Sequence, residues 1–470
     1  MQNDILLQTT GSQMTTQSGR PVLLRGVGLG GWMNMENFIT GYPATESLQR
    51  KALRNALGAD GYRMFFDRFL DVFFTDDDAA FIAGLGLNLV RLPINYRHFE
   101  DDMQPFELKE EGFELLDRAI ERCARHGIYT IIDLHAAPGF QNQHWHSDNP
   151  THWSFFWTHK HFQDRVVHLW EALARRYRDN PWVAGYNPLN EPGDASRTAI
   201  GPFYQRLHDA IRAIDPDHIL FLDGNRYSLD FEIFDETWPN TVYTVHDYAL
   251  AGFIDGGSYP GISRGEYVDR NVLEETFLAR TEFMRQTETP IWVGEFGPVY
   301  TGDEAADEMR HQLLVDQLDI YQRYGASWAI WTYKDIGLQG LVHADPRSPY
   351  MERIQPVVDK KARLGVDAWG SPDTDIRHIM DPIEETFRKE FPDFHPFPFG
   401  SVSWTQRLVR HILLSEPLVG EFGRCFENVH GSEQILALAD SFQLDNCLKR
   451  ERLLNVLREA ASSGGGAAVA

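Results

Sequence analysis

The sequence predicts an α/β protein whose main part is a (β/α)8 TIM barrel. Short apolar runs recur along the chain, segments with helical periodicity lie between them, and there are eight such runs. Strands that are apolar along their whole length indicate a parallel sheet covered by helices. Eight strands close a barrel, whereas doubly wound open sheets usually have about five or six strands. The sequence therefore favours the barrel.

Each candidate strand is a short run rich in β-branched and aromatic residues. In chain order the candidate strands are Leu23–Gly28, Leu87–Ile94, Tyr129–His135, Val183–Leu189, Ile219–Asp223, Val242–His246, Ile291–Glu295 and Trp328–Thr332. The fourth run shows how such a strand ends. Asn190 and Glu191 follow it, and Pro192 and Gly193 then prevent further strand pairing.

Segments with apolar residues every three or four positions separate these strands. The candidate helices are Asp76–Gly84, Glu111–His126, Asp164–Arg178, Phe203–Ile214, Val272–Thr287 and Asp303–Tyr324. Gly127 and Gly325 follow two of them, at the position where glycine commonly ends a helix. Residues 225–240 show no helical periodicity, so no helix is predicted there.

The two ends of the chain depart from the alternating pattern. Residues 4–17 turn at Gly11, which predicts a small N-terminal hairpin. Residues 343–375 are rich in Pro, Asp and Gly and are predicted to form a long loop. Further candidate helices are Ile376–Phe391, Ser403–Leu414 and Glu433–Glu459. We expect a catalytic barrel with its hairpin over residues 1–395, a helical extension on or beside it over 396–460, and a disordered tail over 461–470.

Charge and composition narrow the function. The chain has 44 basic and 68 acidic side chains and a net charge of -24, which disfavours nucleic acid as a partner. No apolar run is long enough to span a membrane. The N-terminus shows no basic segment followed by an apolar one, so we expect a cytoplasmic protein, or a secreted one if a leader precedes this sequence. These properties do not set the oligomeric state.

The cysteines indicate neither a disulfide framework nor a metal site. Cys123, Cys425 and Cys447 are few and odd in number, and no CxxC spacing occurs. We expect free thiols, although Cys425 and Cys447 could pair. No cofactor or metal is predicted.

Polar side chains at the carboxyl ends of the strands carry the functional prediction, because in a (β/α)8 barrel these ends face one pocket. The residues are Arg91, His135, Asn190, Glu191, His246, Tyr248, Glu295 and Trp331. Two carboxylates with aromatic neighbours suggest glycoside hydrolysis, in which one carboxyl protonates the leaving oxygen and the other attacks carbon or activates water. The flat faces of 12 Trp and 17 Tyr side chains also suit sugars.

The motif Asn190-Glu191-Pro192 and the motif Gly294-Glu295-Phe296-Gly297 resemble clan A glycosidases, in particular glycoside hydrolase family 5. The eight strand-end residues match positions that recur in that family's active site. The resemblance implies a retaining double displacement in which Glu191 is the acid/base and Glu295 the nucleophile. A general acid must hold a proton near neutral pH, so burial and the charge of Glu295 are expected to raise the pKa of Glu191.

The same resemblance implies roles for the other strand-end residues. Arg91 would keep Glu295 ionised, and Tyr248 would donate to the same carboxylate. Asn190 would bind the sugar 2-hydroxyl, and Trp331 would form the floor of the sugar site. His135 and His246 would bind neighbouring hydroxyls or orient the acids.

Two loops resemble those of the exo-acting family members, the exo-β-1,3-glucanases and related β-glycosidases. They are the loop after the first strand, which contains Glu36, and the loop after the third strand, which contains Asn142. This likeness implies that Glu36 and Asn142 bind the hydroxyls of the terminal sugar. Alternatively, Glu36 is an ordinary surface charge.

The third loop continues through residues 144–157 with many Trp, Phe and His side chains. Trp145 and its neighbours form either a platform for the aglycone or a hydrophobic plug against the next loop. His144, His146 and His152 do not have a common zinc-ligand spacing. Together with residues 249–265 and 335–375, this loop is expected to wall the site into a pocket.

A pocket favours a retaining exo-β-glycosidase that removes a terminal β-linked glucose or xylose from a β-glycoside or oligosaccharide. An endo-β-glucanase or a glycolipid-cleaving glycosidase is the alternative within the family. A groove open at both ends would indicate the endo mode, and a bare hydrophobic rim would indicate a lipid aglycone. From a different class comes a non-catalytic carbohydrate-binding barrel, which does not need two acids.

Overall fold

Eight parallel strands close into a barrel in the computed structural model, which describes residues 4–249, 258–263, 265–367 and 369–462. The barrel strands are β1 (Arg25–Gly28), β2 (Leu89–Asn95), β3 (Tyr129–Ala136), β4 (Val183–Asn187), β5 (Ile219–Asp223), β6 (Thr241–His246), β7 (Ile291–Phe296) and β8 (Ser327–Ile330). Each strand pairs with its neighbours in chain order, and β8 pairs with β1 to complete the circle. The predicted fold class is confirmed.

Helices surround the barrel between the strands. Those that match predicted segments are Asp76–Gly84, Glu110–Arg125, Lys160–Tyr177, Ile200–Arg212, Arg270–Arg280 followed by Glu282–Gln286, and Glu304–Arg323. The predicted helix Val272–Thr287 is broken at Thr281, and short helical turns occur at Asn37–Thr40 and Asn225–Ser228. Their buried faces pack against the barrel in one large apolar core.

Two long helices differ from the prediction. Glu46–Phe73 is a helix of 28 residues in a stretch where no element was expected, and Gly58 interrupts it with a φ of 72°. Pro349–Arg363 is a helix inside the predicted loop 343–375, so that prediction was wrong. Proline is compatible with the first turn of a helix, where its missing N–H group has no intrahelical partner. A composition rich in Pro and Gly therefore concealed this helix.

The C-terminal region is helical, as expected, but it consists of more and shorter helices than predicted. Its helices are Arg377–Glu390, Gly400–Gln406 continued by a π-helix over Arg407–Leu414, Ser415–Arg424, Ser432–Asp440 and Glu451–Ser462. The predicted helix Glu433–Glu459 is therefore two helices, with the short strand Cys447–Lys449 between them. That strand pairs with Val342–Ala344, and Ser415–Arg424 and Ser432–Asp440 contact the helix Glu46–Phe73. The domain boundary at residue 395 stays a prediction, and residues 463–470 of the predicted tail lie outside the described residues.

The N-terminal hairpin pairs Leu7–Thr10 with Gln13–Thr16 around Gly11. Its buried side chains Leu7 and Met14 join an apolar cluster with strand residues of the barrel. All three cysteines are free thiols. Among the described helices, none combines the length and the apolar character needed to cross a membrane.

Candidate active site

Glu191 lies four residues beyond the end of β4 in an unusual backbone conformation. Its φ is 46°, in the left-handed region that is costly for residues other than glycine. Both backbone polar groups are held by buried side chains: its N–H donates to Asp223 Oδ2 at 2.8 Å, and its carbonyl accepts from Asn142 Nδ2 at 3.0 Å. These two contacts aim the Glu191 carboxyl into the barrel mouth.

Glu295 lies near the end of β7 and is held by two donors. Arg91 Nη1 donates to Oε1 at 2.6 Å, and Tyr248 Oη donates to Oε2 at 3.0 Å. Arg91 is fully buried on β2, where its other amino group donates to Asn190 Oδ1 at 2.7 Å and lies 3.1 Å from Asp133 Oδ2. A planar guanidinium that makes several contacts in a buried site fixes the position of the carboxylate.

His246, at the end of β6, lies between the two acids. Its Nδ1 atom is 2.6 Å from Glu191 Oε1 and 3.6 Å from Glu295 Oε2. One oxygen of each carboxylate and this ring nitrogen all lie within 4.8 Å of one another. Residues far apart in the chain thus meet at the carboxyl ends of β4, β6 and β7.

The protonation of this group differs from the prediction. Burial raises the pKa of Glu191, but the imidazoles around it, His246 foremost, together outweigh burial and lower that pKa to about 2. Burial lowers the pKa of His246, whereas Glu295 and Glu191 raise it, to about 9. The expectation of a raised pKa for Glu191 considered Glu295 and burial without a cationic imidazole in contact. Within this pair, the shifts favour a proton on His246 over one on Glu191.

Trp331, just beyond β8, has its ring flat against His135. The two rings are parallel within 6°, with centroids 5.3 Å apart. Glycines at the end of β1 make room for the indole, because a Cβ atom would lie 2.5 Å from the Trp331 ring at Gly28 and 2.6 Å from it at Gly30. His135 Nδ1 lies 2.8 Å from Asp133 Oδ2, which sets the orientation of the imidazole.

Glu36 belongs to the site. It is buried, and its Oε1 atom lies 3.7 Å from His135 Nε2, so it is not an ordinary surface charge. Burial, together with the charges of Glu295 and Glu191, holds the pKa of Glu36 well above its usual range. A protonated Glu36 can donate a hydrogen bond to a sugar hydroxyl as well as accept one.

Asn142 and Trp145 are placed differently from expectation. Asn142 is fully buried behind His146, with its amide 2.7 Å from His146 Nε2, and it does not line the cavity. Trp145 stacks on His411 of the C-terminal π-helix at 4.1 Å, so most of its ring is covered and only part faces the cavity. The plug interpretation describes Trp145 better than an open platform, because a C-terminal helix covers this loop.

A cavity of about 250 Å³ lies at the centre of these residues. The predicted residues that line it are Glu36, His135, Trp145, Glu191, His246, Tyr248, Glu295 and Trp331. Arg91 and Asn190 do not line it: Arg91 holds Glu295 and donates to Asn190 Oδ1. Of the predicted wall segments, 335–375 contributes Trp369, whereas residues 250–257 and 264 of the segment 249–265 lie outside the described residues.

Comparisons with known proteins identify the family. The family model Cellulase (glycosyl hydrolase family 5) matches residues 57–337. A protein named Beta-xylosidase from Phanerodontia chrysosporium is 48% identical over 97% of this chain and 98% of its own length. The chain belongs to glycoside hydrolase family 5. It is therefore an enzyme that hydrolyses O-glycosyl bonds, and its substrate is a glycoside.

Other relatives of this family 5 hydrolase are more distant. Endoglucanase C from Acetivibrio thermocellus is 24% identical over 64% of this chain and 95% of its own length. Probable glucan 1,3-beta-glucosidase A from Aspergillus fumigatus is 28% identical over 68% of this chain and 84% of its own length. The solved structure of endoglucanase Cel5A from Thermotoga maritima has a TM-score of 0.50 at 20% identity and covers 68% of this chain and 91% of its own. At that identity the structural likeness shows the barrel fold alone.

Several residues that line the site of this family 5 hydrolase were not predicted. They are Phe38, His144, His146, Tyr227, Trp369, Phe399 and His411. Phe399 and His411 come from the C-terminal region, which sequence periodicity could not place over the barrel mouth. His146 had a signal, since it lies four residues after Asn142 in a loop crowded with histidines, but that loop was interpreted as an aglycone platform or plug and its histidines as a possible metal-ligand pattern.

Proposed function

We propose that this glycoside hydrolase is a retaining exo-β-glycosidase that removes a terminal β-linked glucose or xylose. The observation that carries the proposal is the small cavity in which both carboxyls converge. Its volume of about 250 Å³ is just below the range of about 300–1,000 Å³ that is usual for small-molecule sites. A cavity of this size, walled by the C-terminal region and by the loops after β1 and β3, suits one terminal sugar better than the middle of a polymer.

The distance between the acids supports double displacement. Oxygens of Glu191 and Glu295 approach within 4.8 Å. Retaining enzymes need their carboxyls about 5–5.5 Å apart, whereas inverting enzymes need about 6.5–9.5 Å to admit a water molecule. The short separation leaves no room for water between Glu295 and an anomeric carbon.

In the first step Glu295 attacks the anomeric carbon while the bond to the leaving oxygen breaks and Glu191 gives that oxygen a proton. Arg91 and Tyr248 hold Glu295 for the attack. In the second step Glu191 takes a proton from water, the resulting hydroxide attacks the anomeric carbon, and Glu295 is released. Before the first step the proton on His246 can move to Glu191, because His246 Nδ1 lies 2.6 Å from Glu191 Oε1.

A panel of aryl β-glycosides tests the sugar and the mode together. The relative named Beta-xylosidase and the relatives named glucan 1,3-beta-glucosidase support xylose and glucose. We expect kcat/KM for the β-xyloside or the β-glucoside to exceed that for the β-galactoside and β-mannoside by about 10-fold or more, because small changes in a close-fitting sugar site cost about 1–3 kcal/mol.

Analysis of the products released from polymers decides between exo and endo action. We expect xylan and β-glucans to release monosaccharide alone, and NMR of the first product to show the β-anomer. A mixture of oligosaccharides from early in the digestion would support the endo mode instead. Initial release of the α-anomer would contradict double displacement.

An exposed aromatic rim favours a second candidate, a glycosidase that accepts large apolar aglycones. Phe394, Phe399 and Trp404 of the C-terminal region are all more than one third exposed, and Trp153 of the third loop is 60% exposed. Trp153 contacts Trp404 at 5.7 Å, and Phe399 also lines the cavity. An exposed apolar patch beside a binding site commonly contacts a ligand or partner.

Alkyl glycosides of increasing length test this candidate. We expect kcat/KM for the octyl glycoside to exceed that for the methyl glycoside by about 10-fold or more, since each buried CH₂ contributes about 0.8 kcal/mol. Phe399→Ser should remove most of this preference. Met103→Ser is the matched control, because Met103 is 88% exposed and does not line the cavity. Equal kcat/KM for both alkyl lengths would exclude an apolar aglycone site.

A further inference from the structure

The amide of Asn142 has one possible orientation. Its Oδ1 atom accepts the backbone N–H of His144 at 2.9 Å, and its Nδ2 atom donates to the backbone carbonyl of Glu191 at 3.0 Å. A backbone N–H can only donate and a backbone carbonyl can only accept, so exchanging the two amide atoms would break both bonds. The atom facing His146 is therefore a hydrogen-bond donor.

This orientation sets the tautomer of His146. Asn142 Nδ2 lies 2.7 Å from His146 Nε2, and its second hydrogen is available for that contact. A nitrogen that accepts a hydrogen bond cannot carry a proton, so His146 is neutral, with its proton on Nδ1. Burial also favours the neutral ring, because it destabilises the charged form and so lowers the pKa of His146.

The groups around His146 bear on this assignment. Charged or titratable neighbours that face the imidazole are Glu191, Glu295, Asp133, His246, His135, His144 and Tyr227. The three carboxyls favour a cationic His146, whereas burial and His246 oppose it. Two contacts at Nε2 distinguish the ring nitrogens: the Glu191 carboxyl at 3.2 Å would favour a proton there if it is ionised, whereas the shorter contact with the Asn142 amide, at 2.7 Å, requires an accepting Nε2.

The same nitrogen faces the acid/base. His146 Nε2 lies 3.2 Å from Glu191 Oε2, whereas His246 contacts the other oxygen, Oε1. An ionised carboxylate facing a lone pair is repelled, whereas a protonated carboxyl can donate to it. The two imidazoles thus act in opposite directions: the His246 cation favours ionised Glu191, and neutral His146 favours the protonated form.

We propose that Asn142 and His146 are positioning residues that stabilise the protonated form of Glu191 and so prepare it to act as a general acid. This inference rests on the role of Glu191 in the proposed function. Asn142 performs two tasks: its amide holds the strained backbone of Glu191, and it orients the His146 imidazole beside the Glu191 side chain. In the protonated form, Glu191 Oε2–H and Asn142 Nδ2–H share the lone pair of His146 Nε2.

The pH dependence of His146→Phe tests the sign of this effect. Loss of an accepting partner should lower the pKa of Glu191, so the basic limb of the kcat profile, which reports the acid in the enzyme–substrate complex, should move down by about 1 pH unit. A cationic His146 predicts the opposite, an upward movement. An unchanged or raised basic limb in a folded variant overturns the proposal.

Leaving-group dependence separates the proton effect from general damage. At pH 7, His146→Phe should reduce kcat/KM about 10-fold for an alkyl glycoside, whose leaving oxygen needs a proton. The reduction should be below about 3-fold for a dinitrophenyl glycoside, whose leaving group departs without one. Equal losses on both substrates would contradict the proposal. His161→Phe is the matched control, because His161 is exposed on the helix Lys160–Tyr177 and does not line the cavity, and its basic limb should stay at the wild-type pH.

A direct measurement of the tautomer does not depend on activity. ¹⁵N-histidine labelling of the full chain, with His146 assigned by comparison with His146→Phe, should give the pattern of a neutral ring protonated on Nδ1 at pH 6–8. An imidazolium or an Nε2-protonated ring would overturn the proposal even if the enzyme is active. Absence of any β-glycosidase activity in the wild type would refute the proposed function instead and leave the tautomer result standing.

Discussion

Replacing Glu295 by alanine is expected to reduce kcat by at least about 10⁴-fold on every glycoside that the enzyme accepts. The loss removes the attacking carboxylate and leaves Arg91, which donates to it at 2.6 Å, with one acceptor fewer. Proton donation by Glu191 cannot compensate, since no other described carboxylate is held at this position. Steady-state kinetics with aryl and alkyl glycosides measure the effect, and the thermal unfolding curve confirms that the variant folds.

Azide distinguishes the roles of the two acids. In Glu295→Ala a small anion can occupy the space of the lost carboxylate and attack from that face, which gives the α-glycosyl azide from a β-glycoside. In Glu191→Ala the nucleophile is intact, so azide attacks the glycosyl-enzyme from the opposite face and gives the β-glycosyl azide. NMR of the products identifies the anomers. A β-azide from Glu295→Ala would exchange the two assignments.

The barrel was predictable because of where its strands are buried. The runs that became β5 and β7 are apolar along their length, since the barrel interior covers one face and helices cover the other. The helix Glu46–Phe73 was missed because Gly58 interrupts its periodicity, and because its buried residues lie largely in the second half. Pro349–Arg363 was missed because proline and glycine were taken as loop signals.

In the candidate site, too, residues at strand ends were predictable, whereas residues on loops and C-terminal helices were not. Glu191, His246 and Glu295 were predictable because closing the barrel brings the carboxyl ends of β4, β6 and β7 to one pocket. Asn142 and His146 depend on a loop without periodicity, whose conformation is set by individual side-chain hydrogen bonds. Phe399 and His411 reach the cavity only because the C-terminal helices pack over the barrel mouth, and sequence patterns do not encode that placement.

A buried lysine connects the segments that the sequence did not reveal. Lys334 Nζ donates to the carbonyls of Phe73 at 2.7 Å and Phe442 at 2.8 Å, and to Asp78 Oδ1 at 2.8 Å. Lys334 and Asp78 are both completely buried. One ammonium group therefore joins the chain after β8, the end of the helix Glu46–Phe73 and the C-terminal region. All three of its hydrogens have acceptors, as a buried charge requires.

Lys334→Met is accordingly expected to reduce the free energy of unfolding by about 3–5 kcal/mol, because it leaves the Asp78 charge buried without its partner. Lys160→Met is the matched control: Lys160 pairs with Asp164 at 2.6 Å but is 73% exposed, so its loss should cost about 0–1 kcal/mol. Chemical denaturation of both variants measures the difference. Adding Asp78→Asn to Lys334→Met should recover part of the loss, since it removes the uncompensated charge. Equal stability of the two single variants would show that this buried ion pair does not hold the C-terminal region to the barrel.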